Sequence, residues 1–344
     1  MINFMNDYNS AAHPRVLDAV LAESDRRFTG YGTDEVTEEA AGIVRQLICC
    51  PDADVHFLPG GTMTNLTALG AFLRPHEAVI SPASSHIYMH ETGAIEAAGH
   101  KILSFPSENG KADAGSVKAL CEEHSNEHMV KPKLLFISQA TELGTVYSRE
   151  ELASLRTVCD EFGLYLYVDG ARIANTLVSA SCDLELEDLC GFADAFYIGG
   201  TKNGLLFGEA LVIVNPLLKE DFRYLMKQRG GLLAKGFLLG IQFRALLGDG
   251  LYLENARHAN GMADRLRKGL MAAGVSLFAE NDTNQVFLYV RPDLMPLLEE
   301  RVLFEIWGPE EDKGVPIRFV TSWATTEEEV DRVLDCFVAC GSSQ

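Results

Sequence analysis

The chain has 344 residues with 29 Lys and Arg against 49 Asp and Glu, a formal charge of −20, and 47% of its residues are hydrophobic. This composition supplies a large core and excludes an intrinsically disordered chain, and the acidic balance argues against nucleic acid and anionic membrane surfaces as partners. At about 150 residues per domain the length predicts two domains, or one large α/β domain with a smaller companion.

The opening MINFMNDYNSAAHPR has no basic stretch followed by an apolar core, so no secretory signal is expected. No apolar run reaches the roughly 18 residues of a membrane span. A cytoplasmic protein is the expectation. The eight cysteines form no CxxC pair, and Cys336 and Cys340 share a helix face without a further pair to complete a zinc site. They read as structural thiols, and no metal site is expected.

After the first fifty residues strands and helices alternate. DVHFL (54–58) reads as a short buried strand and TMTNLTALGAFL (62–73) as a helix. The strand EAVISP is followed by HIYMHETGAIEAAG, read as a helix. KILSF is the next strand, and a helix opens near Asp113. KLLFIS (133–138) is a strongly apolar strand. SREELASLRTVCDEFG begins with a capping box, Ser148 and Glu151, and stops at Gly163. LYLYVD (164–169), AFYIGG (195–200) and ALVIVN (210–215) complete the strands. Near-continuous apolar strands joined by helices predict a mostly parallel sheet covered on both faces.

Past about residue 216 helical segments dominate. VSLFAE, NQVFLYV, FEIWG and IRFVTSW then precede a last helix from Thr326. This predicts a smaller α/β domain with a partly antiparallel sheet. The expected division is 1–245, an N-terminal segment plus the large domain, and 246–344, the small domain.

Ligands of open α/β sheets gather at the carboxyl ends of the strands. After DVHFL come Gly60, Gly61 and Thr62, a glycine-rich entry to a helix. Free N–H groups and a hydroxyl there suit a phosphate, although an ordinary strand-to-helix turn has the same composition. Asp169 ends an apolar strand, where an unpaired carboxylate is costly. It pairs either with Arg172 or with a cationic ligand nitrogen. Lys202 follows the next strand, between the pair Gly199-Gly200 and Gly204, as an exposed turn lysine or as a catalytic amine. Together the three suit pyridoxal 5'-phosphate, whose phosphate needs N–H donors, whose ring nitrogen needs a carboxylate and whose aldehyde needs a lysine.

Further segments are GYGTDEVT (30–37), LPGGTMTN (58–65), SSHIYMHETGA (84–94), HMVKPKLL (128–135), VDGARIAN (168–175), GGTKNG (199–204) and IRFVTSWATTEEEVDRV (317–333). Over most of its length the sequence resembles the low-specificity L-threonine aldolases of the β-eliminating lyase and threonine aldolase superfamily. The resemblance implies a fold type I pyridoxal phosphate enzyme with a large mostly parallel α/β domain and a smaller C-terminal α/β domain. It implies cleavage of L-threonine, L-allo-threonine and related β-hydroxy-α-amino acids to glycine and an aldehyde, and a homodimer or homotetramer.

By the same resemblance Lys202 forms the Schiff base, Asp169 pairs with the ring nitrogen, and Gly61 and Thr62 hold the phosphate. His86 stacks on the ring. Arg172 contacts the phenolic oxygen or the substrate carboxylate, and Arg318 binds that carboxylate with Asn6 nearby. Tyr31 lines the site, from its own chain or a neighbour's. His86, or a water held by His86 and His128, takes the β-hydroxyl proton. The sequence departs from the family in two places. The common segment ENTH is replaced by SQATELG (138–144), and a family arginine is out of register in QRGGLLAKG (228–236), where Lys235 is the nearest cation to that place and the expected substitute at the phosphate. Two other readings are a β-elimination on the same scaffold and an interaction protein that kept the fold without chemistry.

Overall fold

The computed structural model describes residues 1–341, with side chains through residue 338. Its centre is a seven-stranded sheet built from β1 (Asp54–Leu58), β2 (Glu77–Pro82), β3 (Ile102–Phe105), β4 (Lys131–Ser138), β5 (Tyr165–Asp169), β6 (Ala195–Gly199) and β7 (Glu209–Ile213). The spatial order is β1-β7-β6-β5-β4-β2-β3. All strands run parallel except β7, which is antiparallel to both β1 and β6. Every residue of β2, β6 and β7 is buried, as the continuous apolar runs require when helices cover both faces. Core side chains above and below the sheet fall into two clusters, one around Ile137, Phe196 and Phe243, the other around Leu58, Phe136 and Tyr197.

The helices that matter for the site are α1 (Pro14–Ala22), α2 (Glu35–Leu47), α3 (Gly61–Phe72), α4 (Ala114–Glu123), α5 (Arg149–Phe162), α6 (Phe237–Gly248), α7 (Leu251–Ala272) and α8 (Glu327–Gly341). Local chemistry sets several boundaries. Asp113 Oδ1 caps α4 by accepting from the Ser116 N–H at 2.9 Å. Ser148 and Glu151 cap α5 reciprocally, and Gly163 closes it at φ 65°, a left-handed conformation. Thr326 and Glu329 exchange the same pair of bonds at the start of α8.

A second sheet holds β8 (Leu277–Ala279), β9 (Gln285–Val290), β10 (Glu305–Ile306) and β11 (Val315–Val320) in the order β10-β11-β9-β8, all antiparallel. The long helix α7 serves both cores. Leu251 and Ala256 pack in the large one, and Ala263, Leu266 and Leu270 in the small one. The first residues of the chain join the small core too. Ile2 pairs with Val302, and the Val320 N–H donates to the Phe4 carbonyl at 2.8 Å. The segment that follows, Asn6 to Tyr8, therefore passes between the two lobes.

One expected helix is broken. HIYMHETGAIEAAG forms two single turns, His86–Met89 and Ala94–Ala97: the backbone leaves the helix at His90 (φ −124°, ψ 9°), and left-handed Thr92 (φ 52°) and Gly93 (φ 70°) lead into the second turn. In a continuous helix Glu91 would point about 140° away from His86. The break instead returns it to the His86 ring.

The seven described cysteines are free thiols; the side chain of Cys340 lies outside the described residues. Among the described residues no helix is long and apolar enough to cross a membrane.

Candidate active site

The carboxyl ends of β1, β4, β5 and β6 face one cavity of about 350 Å³. Its wall includes Gly61, Thr62, His86, Asp169, Arg172 and Lys202, which brings together most of the side chains singled out from the sequence. Two glycines make the convergence possible. A Cβ on Gly170 would lie 1.9 Å from the Tyr197 carbonyl oxygen, and one on Gly199 would lie 2.5 Å from that of Ala171. With both positions bare, the turn after Asp169 nests against the turn that carries Lys202, and the Gly199 N–H donates to Gly170 O at 3.0 Å.

Asp169 is 4% exposed and fully partnered. Its Oδ1 accepts from Tyr197 Oη at 2.5 Å and the Ala171 N–H at 3.0 Å, and its Oδ2 accepts from Asn65 Nδ2 at 3.1 Å. Asn65 Nδ2 also donates to Glu91 Oε1 at 2.8 Å, and the same oxygen lies 2.8 Å from His86 Nδ1. A carboxylate only accepts, so Nδ1 carries the hydrogen and Nε2 is the nitrogen left to face the cavity. One amide thus fixes both the strand-end carboxylate and the carboxylate that orients the histidine. His90 lines the cavity next to His86, with ring centroids 5.5 Å apart.

Arg172 does not pair with Asp169. Its Nε and Nη2 donate to Asp7 Oδ2 at 2.7 Å and Oδ1 at 3.1 Å, the two-pronged geometry that suits a carboxylate. Burial alone would raise the Asp7 pKa, but the charges of Arg172 and Lys202 with the bonds from Arg172 and Asn284 together outweigh it and hold the carboxyl at about 2. Asn284 Nδ2 donates to the same carboxylate at 2.9 Å. Lys202 sits in the short turn Thr201–Asn203, and burial, then the charge of Arg172, lowers its pKa. The neutral, nucleophilic amine is therefore more accessible than in water. Glu209, the first residue of β7, pairs with Leu58 and Gly199 at the same sheet edge because β7 alone runs the other way. Burial pushes its carboxyl up to about 7.

Arg318 stands on β11 beside this cluster. Its Nη1 donates to Gln285 Oε1 at 2.8 Å, Nη2 pairs with Glu305, and the guanidinium lies 4.7 Å from the Trp307 ring centroid. Its Nε is buried without a partner among the described residues. Burial, then the charge of Arg172, lowers its pKa, so the two guanidiniums share one electrostatic neighbourhood.

Four expected residues lie elsewhere. Asn6 is half-buried and spends its Oδ1 on the Tyr8 N–H at 3.1 Å, while its neighbours Asp7 and Tyr8 reach the site. His128 is exposed in the loop before β4, whose other end, Ser138, lines the cavity. At about 3.3 Å per residue the strand puts His128 more than about 20 Å from it. A role for His128 at the substrate hydroxyl in its own chain is therefore withdrawn. Tyr31 and Lys235 meet on the outer surface. The Tyr31 N–H donates to Ala234 O at 3.0 Å, and Lys235 lines a shallow groove with Leu17, Leu21, Phe28, Phe237 and Leu238. Neither lines the cavity of its own chain.

The donor set fits one group. A helix start without a side-chain cap at Gly60 leaves the first N–H groups of α3 free, with the Thr62 hydroxyl beside them, as a phosphate requires. A fully held carboxylate suits a ring nitrogen, and a desolvated lysine suits an aldehyde. Such an arrangement on this sheet defines a fold type I pyridoxal phosphate enzyme. The chain belongs to the beta-eliminating lyase family, whose model matches residues 16–293. It is 35% identical over 333 residues to the low specificity L-threonine aldolase of Pseudomonas aeruginosa, covering 95% of this chain and 94% of that one. It also superposes on a threonine aldolase from Leishmania major with a TM-score of 0.97 at 43% identity, covering 99% of this chain and 100% of the other. The histidinol-phosphate aminotransferase of Clostridium acetobutylicum shares the fold alone, with a TM-score of 0.74 at 12% identity over the full length of both chains.

Proposed function

We propose that this protein is a pyridoxal phosphate-dependent lyase that cleaves L-threonine, L-allo-threonine and related β-hydroxy-α-amino acids to glycine and an aldehyde. The observation that carries this reading is the convergence of Lys202, Asp169, Arg172, His86 and the α3 start on one cavity. When bound, pyridoxal phosphate supplies an aldehyde for amines and a ring that accepts electrons from Cα. The protein does the rest. Gly61 and Thr62 hold the phosphate, Lys202 anchors the aldehyde carbon, and Asp169 faces the ring nitrogen. Arg318 and the free edge of Arg172 bind the substrate carboxylate, which sets the Cα–Cβ bond toward the ring face. Asp7 keeps Arg172 aimed, and Glu91 keeps His86 in the tautomer that presents Nε2. Residues 1–245 carry the cofactor site in this reading, and 246–344 bring Arg318 to it.

A product assay tests the reading. Incubated with threonine, the holoenzyme should release glycine and acetaldehyde. A keto acid and ammonia instead would identify a β-elimination.

We also infer a homodimer or homotetramer. Leu17 and Leu21, exposed at 41% and 71%, share a groove with Phe28, Arg26 and Lys235, and Tyr31 nearby is 43% exposed, an apolar surface with cations at its edge. Lys235 then reaches the phosphate of a neighbouring subunit, with Tyr31 beside it. Most of α6 proves to be internal, with Leu239, Ile241, Phe243 and Leu246 buried, so the interface falls to the segment before it and to α1. Mixing inactive Lys202→Ala chains with inactive Lys235→Ala chains should restore roughly a quarter of wild-type activity, because half of randomly paired dimers are hybrids with one intact site. No recovery, or a fully active monomer in sedimentation, rejects the shared site. Free thiols among the described cysteines support a reducing compartment, the cytoplasm.

A further inference from the structure

The cavity wall holds two more carboxylates to which the reading above gives no role, Glu209, whose Oε2 accepts from the Gly200 N–H at 2.9 Å beside Lys202, and Glu142. Glu142 lies in the turn after β4, within SQATELG, and is 9% exposed on the wall it shares with Ser138 and Ala140. Its Oε1 accepts from the His86 N–H at 2.8 Å and from Ser138 Oγ at 2.7 Å. No side chain among the described residues donates to Oε2. Glu142 is also close enough to Arg172 to raise the pKa of that guanidinium. It shares the cavity wall with His86, whose backbone it holds, and with Arg172. A substrate with its amine at Lys202 and its carboxylate at the arginines has to lay its β-hydroxyl along this part of the wall.

We propose that Glu142, rather than His86 or a water held by His86 and the distant His128, is the catalytic base that takes the β-hydroxyl proton. The proposal rests on the aldolase reading. The substrate O–H bond breaks toward Glu142 Oε2, and its electron pair becomes the second bond of the aldehyde carbonyl. The Cα–Cβ pair stays with Cα, which takes up a proton to give glycine. Glutamic acid returns its proton to water, and nothing is oxidised or reduced. The electrostatics agree. Burial raises the Glu142 pKa, and the negative charge of Asp169 adds to this against the bonds from Ser138 and His86. A base is most effective when its pKa lies nearer the working pH than that of an ordinary carboxylate.

Glu142 could instead serve only to cap the single turn His86–Met89 and so position His86. Glu142→Gln separates the roles, because the amide oxygen still accepts from both donors but cannot take a proton. Threonine cleavage should fall about 10²-fold. Exchange of the glycine α-hydrogen with deuterated water, which needs the cofactor but no β-hydroxyl, should stay within about threefold of wild type, as should cofactor affinity. Glu142→Asp, which retains a carboxylate, should recover part of the cleavage. Near-normal cleavage by Glu142→Gln, or loss of cleavage and exchange in equal measure, overturns the base assignment. A wild-type protein that exchanges glycine hydrogen yet releases no aldehyde from threonine overturns the aldolase reading, and this proposal with it.

Discussion

Lys202→Ala should lower kcat by about 10³-fold or more while leaving the fold intact. The side chain ends in the cavity, and desolvation together with Arg172 makes it the amine there whose neutral form is accessible. Arg172 and Arg318, the neighbouring nitrogen bases, stay charged and are committed to Asp7 and Glu305. Borohydride reduction of the wild-type holoenzyme, followed by peptide mass mapping, should find the cofactor mass on the peptide containing Lys202. The variant should show no such peptide and should lose bound cofactor on dialysis. Folding should survive, since the change removes an amine whose charged form burial disfavours and leaves the turn Thr201–Asn203 to its backbone bonds. Full turnover by Lys202→Ala, or a cofactor found on another lysine, would sink the assignment.

The sequence showed the sheet because its strands are short apolar runs with clear punctuation. β1 and β2 coincide with the segments read from it, and the caps at Asp113, Ser148 and Gly163 close their helices as local chemistry requires. The reversed direction of β7 was not legible, because a buried strand has the same composition whichever way it runs. That reversal brings Glu209 to the catalytic edge. The placement of the site was legible where a single local motif follows a strand end, as at Gly61, Asp169 and Lys202, which all line the cavity. It was not where function depends on a pairing distant in sequence. Asp7 stands next to Asn6 in NDYN, yet only the fold shows that Asp7 takes Arg172, 165 positions away. Asn65 and Glu91 both lie inside quoted motifs, and their joint hold on His86 and Asp169 needs the backbone to leave the helix at His90. His128 failed for a plain geometric reason, since it precedes a strand whose far end carries the chemistry.

Asp169→Ala should cost about 10²–10³ in kcat, the scale of a fixed charge placed at the reacting group. In the proposed function the carboxylate is the counter-charge to the ring nitrogen, and without it the bound cofactor should be a poorer acceptor for the Cα electrons. The variant should still yield the borohydride-fixed peptide at Lys202, because the lysine does not bond to Asp169. Removal also strands two buried donors. Tyr197 Oη loses its acceptor, and Asn65 Nδ2 keeps only Glu91. Each such loss costs about 1–3 kcal/mol, so some thermal destabilisation is expected alongside the kinetic defect. Asp169→Asn distinguishes the two effects. Its amide oxygen can still accept from Tyr197, which spares much of the stability, but it carries no charge for the ring nitrogen. If Asp169→Asn is nearly as stable as wild type and as slow as Asp169→Ala, the carboxylate acts through its charge. If Asp169→Asn turns over at close to the wild-type rate, Asp169 serves only to anchor Tyr197 and Asn65, and the cofactor orientation proposed here is wrong.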